Sequence, residues 1–262
     1  MAQSLNRWDR YLFGMFTGYF DDAGGADHGY TVVAGWVSSL ERWRNFAEEW
    51  RAMLSAFRVP HFDMKTLSHF KGVYAPWKDD PKMKDQFQDF ACRIIAGNVL
   101  FGWAQIVEHS VFEKVNGVYQ LREYVGNEYA LAGVSVALKM RDWVQNHTPP
   151  EPFEIVFDDG TAKRGKLVDV MRREHFAEPI FRSPVARGGF WPVVQLQAAD
   201  FLAYEVRKVR ADDPNESRPI EDHRISLRKL IFPPNDWGTY KEDSLMKSCE
   251  QHPRIERRTT KK

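Results

Sequence analysis

Cysteine is nearly missing: Cys92 and Cys249 are the two in a chain of 262 residues. They lie far apart without metal-type spacing, which excludes a disulfide scaffold and a cysteine-rich zinc site and points to a reducing, cytoplasmic location. Long hydrophobic runs are missing too. No stretch of about eighteen apolar residues occurs, mean hydropathy is −0.51, and Met1 to Phe16 hold neither a signal-peptide-length apolar run nor a cleavage site. No membrane partner is expected. Excess charge of either sign is also lacking: Lys+Arg 37 against Asp+Glu 36 gives +1. That argues against a general polyanion binder and leaves room for a local basic track. Arg254, Arg257, Arg258, Lys261 and Lys262 make a basic tail, for which a solvated, frayed terminus is the plainer reading. Neither a Gly-x-Ser-x-Gly elbow nor a phosphate-cradling glycine loop with Lys and Ser/Thr is present, so the familiar serine-hydrolase and P-loop chemistries fall away.

What the chain has is aromatics, 14%, within 43% hydrophobic and 28% charged residues. This is globular composition, long enough to bury a sizeable core. The spacing predicts a strand over 13–20 ended by an Asp/Gly cluster at 21–25, and a second strand over 30–37, close enough to pair as a hairpin. Apolar residues at three- and four-residue steps predict a helix over 39–57, with Ser38 and Glu41 at capping-box spacing. After a loop over 59–80, Asp80 as N-cap and Pro81 open a second helix that Gly97 or Asn98 closes. A strand over 99–107, a long helix over 121–146, a strand over 153–157, a helix over 162–175, a strand over 179–182 and a helix over 195–210 follow. The remainder reads as loop with one short helix near 225–231. The class is α/β, antiparallel at first and parallel afterwards, with no linker dividing it: one domain over 1–262, its core about 13–210, a helical insertion at 39–98 and an extension at 211–262.

Carboxylates recur where strands end. Asp21 follows the first strand, Asp158 follows the fourth, and Asp200 sits in the last long helix at the border of its apolar arc. Such strand ends are where α/β folds build their sites. Converging carboxylates repel unless protonated or bridged by a cation, and oxygen-only ligands select Mg²⁺ or Mn²⁺. The plain alternatives are turn chemistry for Asp21-Asp22 and Asp158-Asp159-Gly160, and a salt bridge to an Arg for Asp200. Lys163 and Arg164, at a helix start, face either a phosphate or solvent. Gly188-Gly189-Phe190-Trp191 presents either a stacking aromatic or a simple bend.

Four segments together carry a resemblance: Asp21-Asp22-Ala23-Gly24 after the aromatic strand, Pro60-His61-Phe62, Val156-Phe157-Asp158-Asp159, and Leu196-Gln197-Ala198-Ala199-Asp200 running on to Tyr204. The chain resembles the family called domain of unknown function 3800, over about residues 13–210. The resemblance implies an RNase H-like fold, a mixed five-stranded sheet flanked by helices. It also implies a metal-dependent phosphodiesterase acting on nucleic acid. Asp21, Asp158 and Asp200, with Asp22 beside them, would hold Mg or Mn, and His61 would serve as phosphate contact or acid/base. Asp22 stands where the family has Glu, and Ala23 where it has Ser. Whether Asp158 or Asp159 is the strand-end ligand stays open, as does a non-catalytic role binding nucleic acid or protein.

Overall fold

A computed structural model describes residues 16–146, 152–160, 164–187, 191–215, 217–219, 222–230 and 233–258. Strands β1 (Phe16–Gly25) and β2 (Tyr30–Ser39) form the expected hairpin, and β3 (Phe101–Glu108) adds antiparallel to β2. β4 (Phe153–Asp158) lies parallel to β1 on its other side, followed by β5 (Ile180–Arg182). Three antiparallel strands in succession, then two parallel to the first, make a mixed sheet. Helices α1 (Leu40–Ala56), α2 (Met64–Ser68) and α3 (Pro81–Asn98) fill the insertion between β2 and β3. After β3 come α4 (His109–Val118), α5 (Leu121–Val125) and α6 (Glu128–Gln145); α7 (Arg164–Arg173) joins β4 to β5, and α8 (Gln195–Asp212) follows β5.

The sheet has six strands rather than five, in the order β5-β4-β1-β2-β3-β6. β6 (Asn235–Thr239) comes from the region expected to be loop, between α9 (Ile225–Leu230) and α10 (Glu242–Gln251). Its sequence, Asn-Asp-Trp-Gly-Thr, has almost none of the β-branched content that announces a strand. Pairing with the outer edge of β3 decides its conformation instead, with Gln105 Nε2 donating to Gly238 O at 3.0 Å.

Side-chain alternation along the strands fills both faces. Val32, Ala34 and Trp36 of β2 pack with α1, α3 and α8, while Val33 and Val37 face α4 and α6. Aromatic contacts bind the first layer: Phe46 stacks on Trp50 at 4.9 Å between ring centres, and Phe62 meets Phe201 at 5.2 Å. Deeply buried indole N–H groups inside this layer find acceptors, Trp36 at Ala198 O (3.1 Å) and Trp43 at Thr17 O (2.8 Å), as buried donors must.

Several boundaries differ from expectation. β1 does not stop at the Asp/Gly cluster: Asp21 pairs with Ala34 and Asp22 with Val33, and the reversal comes later, over Ala26–His28, closed by Gly29 at φ 72°. Residues 13–15 of the expected strand lie outside the described residues. The helix expected over 121–146 is broken at Gly126, whose φ of 91° L-residues avoid, and Asn127 caps the restart by accepting from Ala130 N at 2.9 Å. Ser39, not Ser38, caps α1; Ser38 is buried and donates to Asn98 O. Asp80 makes no side-chain cap bond, leaving Pro81 as the start signal of α3.

The basic tail is docked as far as the description goes. Ile255 packs on the α4–α6 layer, Gln120 N donates to Glu256 O at 2.8 Å, and Arg258 N donates to Val118 O at 2.8 Å. Lys261 and Lys262 lie outside the described residues. Removing residues 254–262 is therefore expected to cost about 1–3 kcal/mol, the sum of one partly buried Ile and a few net hydrogen bonds. A urea midpoint equal to that of the full chain would return the tail to a frayed terminus.

Candidate functional site

Strand alternation and the course of α8 place the three aspartates on one face of the sheet. In β1, Phe16 and Phe20 face the α6 layer, so Tyr19, Asp21 and Ala23 face α8. In β4, Ile155 and Phe157 face α6, so Asp158 shares the α8 side with Asp21. The register, Phe20 beside Phe157, sets Asp21 next to Asp158 where the β1–β4 pairing ends. α8 then crosses this face and brings Asp200 to it. Asp22, one step along β1, turns to the opposite face by alternation; burial, with the charges of Asp22, Asp21 and Asp158, raises the pKa of Tyr129 on α6. The inclusion of Asp22 with the other three therefore fails on the pleat, though its field still reaches Asp21.

The electrostatics record the convergence. The Asp21 carboxyl is pushed well above the usual carboxylate range, first by burial, then by the charges of Asp200, Asp158 and Asp22. Asp200 is pushed up to about 7 by burial, with Asp63 and Asp158 adding and the Met64 amide opposing. Asp158 is raised by burial and by Asp159, against the pull of the Gly160 amide and Arg187. Each carboxylate takes one backbone N–H: Asp22 N to Asp21 Oδ1 at 2.7 Å, Gly160 N to Asp158 Oδ1 at 2.6 Å, Met64 N to Asp200 Oδ2 at 2.8 Å. Among the described residues the alternative of an Arg salt bridge at Asp200 is not found, and the carboxylate accepts instead from the Met64 amide. Among the described residues no three His, Cys, Asp or Glu side chains form a group that would hold a metal ion.

The other expected residues fall as follows. Asp159 is drawn to Arg187, 3.7 Å away, which leaves Asp158 as the strand-end carboxylate on the α8 side. His61 enters through its backbone: its carbonyl accepts from Tyr74 Oη at 2.9 Å, and the next residue, Phe62, donates its amide to Gln197 Oε1 at 3.0 Å. Among the described residues the His61 imidazole makes no hydrogen bond. Arg164 lies over the Phe181 ring, 6.0 Å from its centre, rather than toward a phosphate. Trp191 is 91% exposed, while Lys163 and residues 188–190 lie outside the described residues.

One contributor, Asp63, goes unread in the sequence, and another, Gln197, reads as part of the helix motif but without its packing role. Asp63 caps α2, accepting from Thr66 N at 2.5 Å, and its charge acts on Asp200. The signal was an Asp three residues before Thr66 at a short helix start, hidden in a stretch taken for loop. Gln197 is 1% exposed and joins three segments, accepting from Trp50 Nε1 (2.8 Å) and Phe62 N and donating to Pro184 O (2.8 Å).

No helix among the described residues is long and apolar enough to cross a membrane. No family model and no curated protein matches the chain. Among solved structures it is similar to Bst-RNase HIII in complex with Mn²⁺, at 15% sequence identity and a TM-score of 0.41, covering 77% of this chain and 56% of that one. The chain thus spans little more than half the length of that structure.

Proposed function

We propose that this chain is a divalent-metal-dependent phosphodiesterase acting on nucleic acid, a nuclease of RNase H-like type, and that it belongs with the domain of unknown function 3800 proteins. The observation that carries the reading is that Asp21, Asp158 and Asp200 share one face of the sheet, where Asp200 and Asp158 raise the pKa of Asp21 and Asp158 raises that of Asp200. Buried like charges need a proton or a cation. Among the described residues neither Asp21 nor Asp200 has a Lys or Arg in ion-pair contact.

In chemical type the donors suit a hard cation, since all three are carboxylate oxygens and each keeps one oxygen clear of its backbone amide, although as they stand they are not drawn into a three-ligand group. When bound, Mg²⁺ or Mn²⁺ supplies positive charge at the phosphate oxygens and a water of lowered pKa. Asp21 and Asp200 would hold it from strand and helix, and Asp158 would join by releasing its local bond to Gly160. His61, on the segment that Gln197 and Asp200 anchor, would move the proton at the leaving oxygen.

A second reading, a non-catalytic binding protein, draws on the Met64 amide at Asp200, which gives that carboxylate a structural task. Titration with metal separates the two. Millimolar Mn²⁺ is expected to raise the thermal midpoint by several degrees, since a ligand at about a hundred times its Kd adds about 2.7 kcal/mol. Labelled DNA and RNA oligonucleotides, single- and double-stranded, should be cut only in its presence. No calorimetric binding and no cleavage would leave the structural reading standing.

A further inference from the structure

Beyond the carboxylates, the far end of α8 forms a second concave site against β3 and β6. Its cavity is about 190 Å³, larger than the cavity of about 150 Å³ that admits a benzene ring. Ile106, Val206, Val209 and the half-buried Trp237 supply an apolar wall with one flat aromatic surface. Arg210, Arg218 and His223 also line it.

The polar groups are left incomplete in one sense only. The Arg210 side chain is 10% exposed; it pairs with Glu108 and donates to Pro214 O, yet its buried Nε has no partner. Among the described residues, neither the Arg218 guanidinium nor the His223 imidazole makes a hydrogen bond. The carboxylate in the lining, Asp213, is already satisfied by Ser217 Oγ (2.9 Å) and the Arg218 amide (2.7 Å), which hold it ionised below the usual range. The pocket thus offers donors in excess: Glu108 pairs with Arg210, whereas Arg218, though in the field of Asp213, forms no ion pair among the described residues. An apolar pocket with a few convergent polar groups is the ordinary form of a small-molecule site.

We propose that this pocket binds a small molecule made of a planar ring and one anionic group, the ring against Trp237 and the anion at Arg218, His223 and Arg210 Nε. The proposal does not depend on nuclease activity. The anion has two sources, a phosphate monoester or a carboxylate, and the probes distinguish them.

The test uses the full chain without added metal, followed by thermal midpoint, calorimetry and tryptophan fluorescence. AMP and phenylacetate are the two ring-bearing anions; adenosine supplies a ring without charge, and inorganic phosphate a charge without a ring. Saturable binding of AMP or phenylacetate is expected, at least tenfold tighter than either control, and the tighter of the two names the source. Arg218→Ala, at an exposed position, should leave the ligand-free midpoint in place and weaken binding at least tenfold. Trp237→Leu should abolish the fluorescence change. Controls that bind as well as the ring-bearing anions, unchanged affinity in Arg218→Ala, or no saturable binding up to millimolar probe would each overturn the proposal.

Discussion

Asp200→Asn is expected to leave the metal-free protein folded, to stabilise it above pH 7, and to remove divalent-dependent cleavage by at least about 10²-fold. The last figure follows because even partners behind a metal's ligands are worth 10–100-fold. The stability effect follows from linkage. The Asp200 carboxyl stands at about 7 in the folded protein against an ordinary 3.8, so the folded state holds its proton more tightly than the unfolded chain. That contribution is fully present below pH 4, is lost as pH rises from about 4 to about 7, and is gone above. Parent stability should fall across this window, and Asp21, shifted in the same direction, steepens the fall. Asn keeps an oxygen for the Met64 amide but carries no charge to desolvate. At pH 8 in chelator the variant should gain about 1–3 kcal/mol, below the ceiling that 1.36 kcal/mol per pKa unit sets; at pH 4 the difference should vanish. A variant less stable than the parent at both pH values would mean that the charge–amide bond outweighs the repulsion. Full metal-dependent activity would remove Asp200 from the site altogether.

Residues with one dominant physical demand were readable in the sequence. The β1–β2 hairpin, the amphipathic α1 and α3 and the long α8 announce themselves by periodicity, and the position of Asp200 at the edge of an apolar arc marked it before any coordinates. The sheet parity that unites Asp21 with Asp158 was half legible, since it needs the register of two strands more than 120 residues apart in sequence. For the same reason Asp21 and Asp22 looked equivalent as neighbours, though the pleat sends them to opposite faces. β6 was illegible because its strand form comes from the edge of β3 and not from its own residues. The Asp63 cap and the three-way role of Gln197 belong to packing between α1, the 60–64 segment and α8, which no local pattern encodes.

Gln197→Leu is expected to be the most destabilising single change near the site. Leucine fills a similar volume and gains apolar contact, yet it strips the partner from two donors, Trp50 Nε1 and Phe62 N, and from Pro184 O. Trp50 and Phe62 are 0% and 2% exposed, so water does not reach their N–H groups without local opening. Each buried group left unsatisfied costs about 1–3 kcal/mol, and neighbouring losses overlap, so the total should be about 3–5 kcal/mol in urea unfolding. Gln197→Glu gives a different pattern. Its carboxylate still accepts from Trp50 and Phe62 but sets an acceptor against Pro184 O, so its loss should be smaller and should deepen as pH rises and the carboxylate ionises. The local signature matters more than the total. Phe62 and Met64 donate to Gln197 and Asp200 one turn apart on α8, so losing the first bond should loosen the second. Hydrogen exchange at both amides should accelerate in Gln197→Leu, and divalent-dependent activity should fall with it although no carboxylate has changed. If the variant unfolds within about 1 kcal/mol of the parent and Phe62 stays protected, the segment carrying His61 is held by its aromatic packing on Phe87 and Phe201, and Gln197 is not what positions it.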